Sequence, residues 1–118
     1  MLAHEVGHAT YPYKKDISSK ASYVKGSLAD EGAATLNNIK VQSEIIANGG
    51  PDIGIAGNGS NHTAYNAAYD KLLKDGNADA ARQAIGAQFG KGEITSNTNQ
   101  PYADYYGGWY DSAYPPKK

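Results

Sequence analysis

The chain of 118 residues contains no cysteine, no long apolar run and no excess of charge of either sign. Without cysteine it has neither a disulfide scaffold nor a thiolate metal site. No run approaches the roughly 18 apolar residues of a membrane span, and the first residues lack the basic and apolar segments of an export signal. With 11 Lys and Arg against 12 Asp and Glu, the chain also lacks the basic excess typical of nucleic-acid binding. We therefore expect neither a nucleic-acid partner nor a membrane span.

Large aliphatic side chains are scarce as well. The sequence has 5 Leu, 8 Ile, 3 Val and a single Phe, so that 17 residues are strongly apolar, fewer than is usual for a globular domain. Disorder would normally require a high net charge beside this shortage, whereas the formal net charge is −1. The length suits one domain. We expect residues 1–118 to form a single ordered domain that needs more than hydrophobic burial to hold it.

Helical patterns cover most of the chain, and no segment has a convincing strand pattern. Helices are predicted over residues 1–11 and 28–48, from a cap at residue 60 or 61 to residue 75, and over residues 78–89. The aromatic segment 102–114 has a helical start. Gly49-Gly50-Pro51 ends the second helix, since glycine supplies a left-handed cap and proline cannot continue a helix. The predicted fold is mainly α.

The first predicted helix carries the motif His4-Glu5-Val6-Gly7-His8, an HExxH. Residues four apart lie about 40° apart around a helix, so both imidazoles can reach one ion, and the glutamate falls about 100° from the first histidine, beside that ion. Zinc hydrolases need residues in these two roles: neutral imidazoles bind the metal, and a carboxylate takes a proton from bound water.

The opposite side of this helix holds Leu2, Val6 and Ala9, and we expect that side to pack against the rest of the domain. The alternative interpretation of the motif is a solvated helix with incidental His and Glu residues. Gly7 speaks against that alternative, because a glycine in mid-helix costs about 1 kcal/mol and usually has a packing reason.

The second predicted helix offers a third ligand, Glu31. It begins a polar stripe with Thr35, Asn38 and Gln42 that runs between two apolar flanks. An unpaired carboxylate is costly to bury there, and a metal ion would remove that cost. The alternative is a carboxylate satisfied by Arg82, a lysine or backbone donors. Thr35 and Asn38 are candidates to orient a ligand, or equally to make ordinary hydrogen bonds between helices.

Four other features are weaker candidates. Asp16 and Asp30 could bind metal, but a loop turn and a solvated helix face are the simpler interpretations of their positions. His62 could contact substrate or stabilise an oxyanion, although a histidine there more often lies in a capped first turn. The tyrosines of residues 102–114 could line a groove or stabilise a tetrahedral intermediate, but we expect them mainly to cover the helix pair.

The 22 residues between His8 and Glu31 suffice for a loop that returns one helix against another. With this spacing the sequence resembles the gluzincin branch of HExxH metallopeptidases, and the small residues after Glu31 resemble that branch too. The resemblance is close over residues 2–35. It implies that His4, His8 and Glu31 bind Zn²⁺ and that Glu5 acts as general base and acid.

The size, the tail rich in Tyr, Gly and Trp and the lack of cysteine are similar to metallopeptidase-like toxin domains at the C-termini of bacterial polymorphic toxins of the contact-dependent or Rhs type. This resemblance implies a protein or peptide substrate, an immunity protein as partner, and secretion or delivery into a neighbouring cell as part of a larger protein. In such enzymes a β-sheet precedes the motif helix. Because the motif here starts at residue 4, we expect that sheet to be absent or truncated and the chain to be the C-terminal part of a longer protein.

The sequence thus predicts a zinc-dependent metallohydrolase, in the first place a peptidase, in which Glu5 activates a metal-bound water. The alternative is a non-catalytic, zinc-stabilised interaction module. A purely structural site would need no carboxylate beside the metal and would favour a fourth protein ligand over water.

Overall fold

The computed structural model describes residues 2–115 of the chain. This part contains five α-helices and one 3₁₀ turn, joined by loops. The helices are α1 (Leu2–Thr10), α2 (Lys20–Ala47), α3 (His62–Asp75), α4 (Ala78–Gly92) and α5 (Tyr102–Ala113), and the 3₁₀ turn is Gly59–Asn61. Strand-like pairing in this part of the chain is limited to one antiparallel bridge, between Ile94 and Pro101. The prediction of a mainly α fold is therefore confirmed. None of the five helices is long and apolar enough to cross a membrane.

The central helix is α2, which packs against all four other α-helices. It ends close to the predicted position but begins eight residues before the predicted start at residue 28. The Ser19 hydroxyl caps it by accepting a hydrogen bond from the Ser22 N–H at 3.0 Å. One turn later the buried ring of Tyr23 stacks on Trp109 of α5, with 4.9 Å between the ring centroids. A cap and an aromatic contact thus extend the helix through a stretch that has no apolar period.

Glycines allow α2 to approach its neighbours closely. A Cβ at Gly7 would lie 2.5 Å from the Ala34 Cα, and one at Gly32 would lie 2.2 Å from the Arg82 carbonyl oxygen. The first contact brings α1 against α2, and the second brings α4 against the other side of α2. The mid-helix glycine of the HExxH motif therefore has the packing reason that the sequence suggested. It sets the two motif histidines directly over α2.

The face of α1 opposite the histidines does not pack, contrary to expectation. Leu2 is 79% exposed, Val6 is 43% exposed and Ala9 is also exposed. Among the helices, the backbone of α1 contacts α2 only, through the side that carries Gly7. The opposite side therefore faces away from the rest of the described chain.

The core has an apolar and a polar part. Ile39, Tyr65, Ile85 and Phe89 form a compact buried cluster between α2, α3 and α4. Buried polar side chains are about as numerous as buried apolar ones, and they are His4, Ser27, Glu31, Thr35, Asn38, Asn61, Glu93 and Thr95. The shortage of aliphatic residues is thus matched by a buried polar network, most of which lies around the motif histidines and the loops beside them.

Candidate metal centre

The imidazoles of His4 and His8 and the carboxylate of Glu31 meet where α1 crosses α2. His4 Nε2 lies 3.4 Å from Glu31 Oε2, and His8 Nε2 lies 3.3 Å from Glu31 Oε1. One potential ligand atom from each residue lies within 4.8 Å of the other two. The structure thus brings together the three side chains that the sequence singled out as ligands.

This donor set fits a metal ion. Each imidazole nitrogen faces a different oxygen of Glu31, at 3.3 and 3.4 Å, close to the roughly 3.3–3.4 Å between donors bound tetrahedrally at about 2.0–2.1 Å from zinc. Glu31 is only 9% exposed, and no lysine or arginine of residues 2–115 lies within 4 Å of its carboxylate. Arg82, the partner considered as an alternative, instead pairs with Asp79 and lies over the ring of Tyr11. Among residues 2–115, the polar groups that contact the buried carboxylate are two imidazoles and a phenol, an arrangement that a cation would complete.

Asp30 holds His8 in orientation. Its Oδ2 lies 2.9 Å from His8 Nδ1, so that Nε2 is left to face Glu31. Burial raises the pKa of the Asp30 carboxyl, and the hydrogen bond to His8 opposes that rise. The expectation of a solvated helix face at Asp30 is wrong, because α1 covers this side of α2. A helical wheel contains the signal, since Asp30 falls about 40° from Ala34 on an apolar flank of the helix.

Tyr106 of α5 contacts the third ligand candidate. Its hydroxyl donates a hydrogen bond to Glu31 Oε1 at 3.1 Å. Burial, and then the negative charge of Glu31, raise the pKa of the Tyr106 phenol above its ordinary value, so the phenol keeps the proton that it donates. Tyr106 therefore contacts a ligand candidate, while Trp109 of the same helix stacks on Tyr23 of α2.

Asn38 acts on a loop and not on a ligand. Its Nδ2 donates to the Gly54 carbonyl at 3.0 Å, and its Oδ1 accepts from the Ala56 N–H at 2.8 Å. Thr35 is fully buried one turn after Glu31, and its hydroxyl has no hydrogen-bond partner within residues 2–115. Asn38 was predicted to orient a ligand. It instead holds the loop at Gly54 and Ala56, which forms one wall of a cleft beside the motif histidines.

Glu93 fixes the continuation of the same loop, and sequence reasoning missed it. Its Oε1 accepts from the Asn58 N–H at 2.8 Å, and its Oε2 accepts from Asn61 Nδ2 at 2.9 Å and from the Tyr65 hydroxyl at 2.7 Å. Three residues of the stretch 58–65 thus bind one carboxylate that is only 7% exposed. Its position in a polar loop, without periodicity, gave no signal of burial.

The three ligand candidates open onto a cleft of about 330 Å³. Glu5 is exposed and lies at this cleft, beside the two imidazoles. The cleft therefore gives a substrate and a water molecule access to the motif glutamate. The cleft is lined by His4, Glu5, His8, Glu31, Ala56, Gly57, Phe89, Glu93, Ile94 and Tyr102.

Two further candidates lie outside this cleft. His62 begins α3, and its ring lies 6.2 Å from that of Tyr65. Asp16 is exposed and accepts hydrogen bonds from the backbone and the hydroxyl of Ser18, as expected for a loop turn. The structure therefore separates both residues from the group formed by His4, His8 and Glu31.

No protein-family model, curated protein or solved structure matches the chain. A function for the site must therefore follow from its own geometry and chemistry.

Proposed function

We propose that the chain is a zinc-dependent hydrolase that cleaves peptide bonds, with His4, His8 and Glu31 as the metal ligands. The observation that carries the proposal is the buried carboxylate of Glu31, which faces two imidazole nitrogens at 3.3 and 3.4 Å and has no lysine or arginine within 4 Å among residues 2–115. Asp30 behind His8 and Tyr106 behind Glu31 hold two of the three ligands in place.

Glu5 supplies the acid–base chemistry. A bound zinc ion would lower the pKa of a coordinated water from 15.7 toward about 7 and polarise the substrate carbonyl. Glu5 lies at the open cleft beside both imidazoles, where its carboxylate can accept a proton from the attacking water and return it to the leaving nitrogen. Asp30 keeps His8 in the tautomer whose Nε2 can bind metal.

A zinc-stabilised interaction module is the second candidate, and the attachment of α1 favours it. The backbone of α1 contacts α2 alone among the helices, so a metal shared by both would pin α1 in place. Structural zinc sites, however, are closed by four protein ligands. Within residues 2–115 three ligand atoms come together, and they open onto a cleft that also carries Glu5. This arrangement supports the hydrolase over the module.

The test compares wild type with Glu5→Gln, and with Glu44→Gln as a matched control on the exposed surface of α2. We expect all three proteins to bind about one zinc per chain. Wild type and Glu44→Gln should cleave members of a library of short unstructured peptides, and Glu5→Gln should lose activity by at least about 100-fold. Cleavage products are read by mass spectrometry and the metal by elemental analysis.

Full activity in the Glu5→Gln protein would exclude Glu5 as the base. Zinc-loaded wild type that cleaves nothing in the library would favour the interaction module. Wild type that takes up no zinc would refute both candidates.

A further inference from the structure

A second pocket, with a volume of about 280 Å³, lies where the C-terminal end of α1 meets α2, α3 and α4. We call it the Arg82 pocket. It shares no lining residue with the cleft at the candidate metal centre. This volume is near the lower limit for small-molecule sites, about 300 Å³, so the pocket suits a compact ligand. The residues that give it its chemical character are Tyr11, Leu36, Lys40, Tyr69, Leu72 and Arg82.

The Arg82 pocket carries positive charge without acidic groups in its walls. Arg82 is the single arginine of the chain, and Lys40 lines the same pocket, whereas no Asp or Glu of residues 2–115 does. Lys40 also has no carboxylate within 4 Å in the described part of the chain. The two cations therefore favour an anionic ligand.

Arg82 keeps donors available for such a ligand. It pairs with Asp79 through one nitrogen, but a guanidinium has five N–H donors. The side chain of Asp79 is 79% exposed, and ion pairs in water contribute little, so a ligand can share or displace this partner. The guanidinium carbon lies over the ring of Tyr11, 5.2 Å from its centroid. This contact orients the planar donor group, which can bind a carboxylate through two parallel hydrogen bonds.

The other walls of the pocket are largely apolar. Leu36 and Tyr69 also pack against the buried apolar cluster between α2, α3 and α4, and Leu72 lies one turn after Tyr69 on α3. In small-molecule sites, apolar walls bind the body of the ligand and a few polar groups fix its orientation. The Arg82 pocket has both parts, because it combines these apolar side chains with two cationic ones.

We propose that the Arg82 pocket binds a small organic carboxylate with an apolar body. The carboxylate accepts hydrogen bonds from the Arg82 guanidinium and pairs with the Lys40 ammonium. The apolar body packs against Leu36, Tyr69 and Leu72.

The same ligand holds α1 in place. The pocket includes Thr10 at the end of α1 and Tyr11 after it, together with residues of α3 and α4, which the backbone of α1 does not contact. A ligand that touches both sides binds preferentially to the state in which α1 is docked. Zinc at His4, His8 and Glu31 requires the same state, so each ligand tightens the binding of the other by the same factor. This coupling rests on the proposed metal site, whereas binding in the pocket requires no metal.

The test uses 4-phenylbutyrate as the probe and 4-phenylbutyramide as its uncharged counterpart of nearly the same shape. In NMR titrations of protein stripped of metal, 4-phenylbutyrate should shift the backbone N–H signals of residues that line the Arg82 pocket. We expect the uncharged probe to bind at least about 10-fold more weakly, because it loses the charge-assisted hydrogen bonds to Arg82.

Variants test the two cations separately. Arg82→Gln should weaken the binding of 4-phenylbutyrate about 10-fold or more, and Lys40→Gln roughly twofold to fivefold, since Lys40 is exposed. Lys74→Gln is the matched control, because it removes a charge from the exposed surface of α3 outside the pocket. If Arg82→Gln does not fold, the comparison of the two probes on wild type tests the same hydrogen bonds.

Titrations with zinc test the coupling. In wild type we expect zinc to tighten the binding of 4-phenylbutyrate about fivefold, and 4-phenylbutyrate to tighten zinc binding equally. Arg82→Gln should abolish both effects.

Equal binding of the two probes, or signal shifts that lie outside the Arg82 pocket, would overturn the inference and leave the hydrolase intact. Binding of 4-phenylbutyrate in the pocket of a protein that takes up no zinc would support the pocket and refute the hydrolase. Zinc and 4-phenylbutyrate that bind independently of each other would overturn the link to α1.

Discussion

Replacing Glu31 by glutamine removes one charge from the metal centre and almost no volume. If Glu31 binds zinc, the wild-type protein gains stability with metal because the ion binds only the folded chain. At free zinc of about 100 times Kd the gain is about 2.7 kcal/mol. For a chain of 118 residues, an unfolding entropy of about 2.1 cal/mol/K per residue amounts to about 0.25 kcal/mol/K, so Tm should rise by about 11 °C.

Without metal, the same substitution should raise the melting temperature or leave it unchanged. Glu31 is then a buried carboxylate with no lysine or arginine within 4 Å among residues 2–115, and burying such a charge is costly. The glutamine amide carries no charge, and its oxygen can still accept the hydrogen bond from Tyr106. We expect the zinc-free variant to melt at or above the wild-type temperature, and zinc to raise its Tm by less than about 3 °C.

Calorimetry with a chelator and with a zinc series checks both parts, and Glu44→Gln serves as the exposed control. The reasoning is refuted if Glu31→Gln keeps the full zinc-dependent shift in Tm. It is also refuted if the variant loses several degrees without metal, since Glu31 would then stabilise the fold by itself.

Three further predictions concern residues around the site. Asp30→Asn should weaken zinc binding about 10- to 100-fold in a metal-competition titration, because it removes the carboxylate that orients the second motif histidine; unchanged affinity would exclude that role. Gly7→Ala should lower the free energy of unfolding by about 1–3 kcal/mol in urea, since its Cβ would lie 2.5 Å from the Ala34 Cα; a neutral effect would mean that α1 is not docked as described. Burial and the Glu93 carboxylate raise the pKa of Tyr65 above 10.0, so the unfolded chain releases this proton at lower pH than the folded one and stability should fall as pH rises beyond about 10. Tyr65→Phe should make that decline shallower in urea unfolding at alkaline pH, and an unchanged slope would contradict the assignment.

Helix positions were predictable where the signal is local. Gly49-Gly50-Pro51 ended α2 close to the right place, whereas its start was missed by eight residues. That start depends on the Ser19 cap and on the contact of Tyr23 with Trp109, two residues that are far apart in the sequence. Apolar periodicity does not record a contact of this kind.

The candidate site likewise has residues that the sequence could predict and residues that it could not. The HExxH motif is local, and Glu31 could be found because a carboxylate on an apolar face signals an unsatisfied charge. Glu93 could not be found, since its burial results from contacts with Asn58, Asn61 and Tyr65, more than 25 residues away. Asp30 was misjudged because the loop between α1 and α2 decides which side of α2 is covered.

The attachment of α1 couples the fold to the proposed chemistry. This helix of nine residues is too short to be stable alone in water, and it leaves Leu2 and Val6 exposed. A metal that binds His4, His8 and Glu31 can bind only the state in which α1 is docked on α2, so the apparent affinity falls by the fraction of molecules in that state. Zinc should therefore slow hydrogen exchange in α1 more than in α4. By the same coupling, Gly7→Ala should weaken zinc binding without touching a ligand.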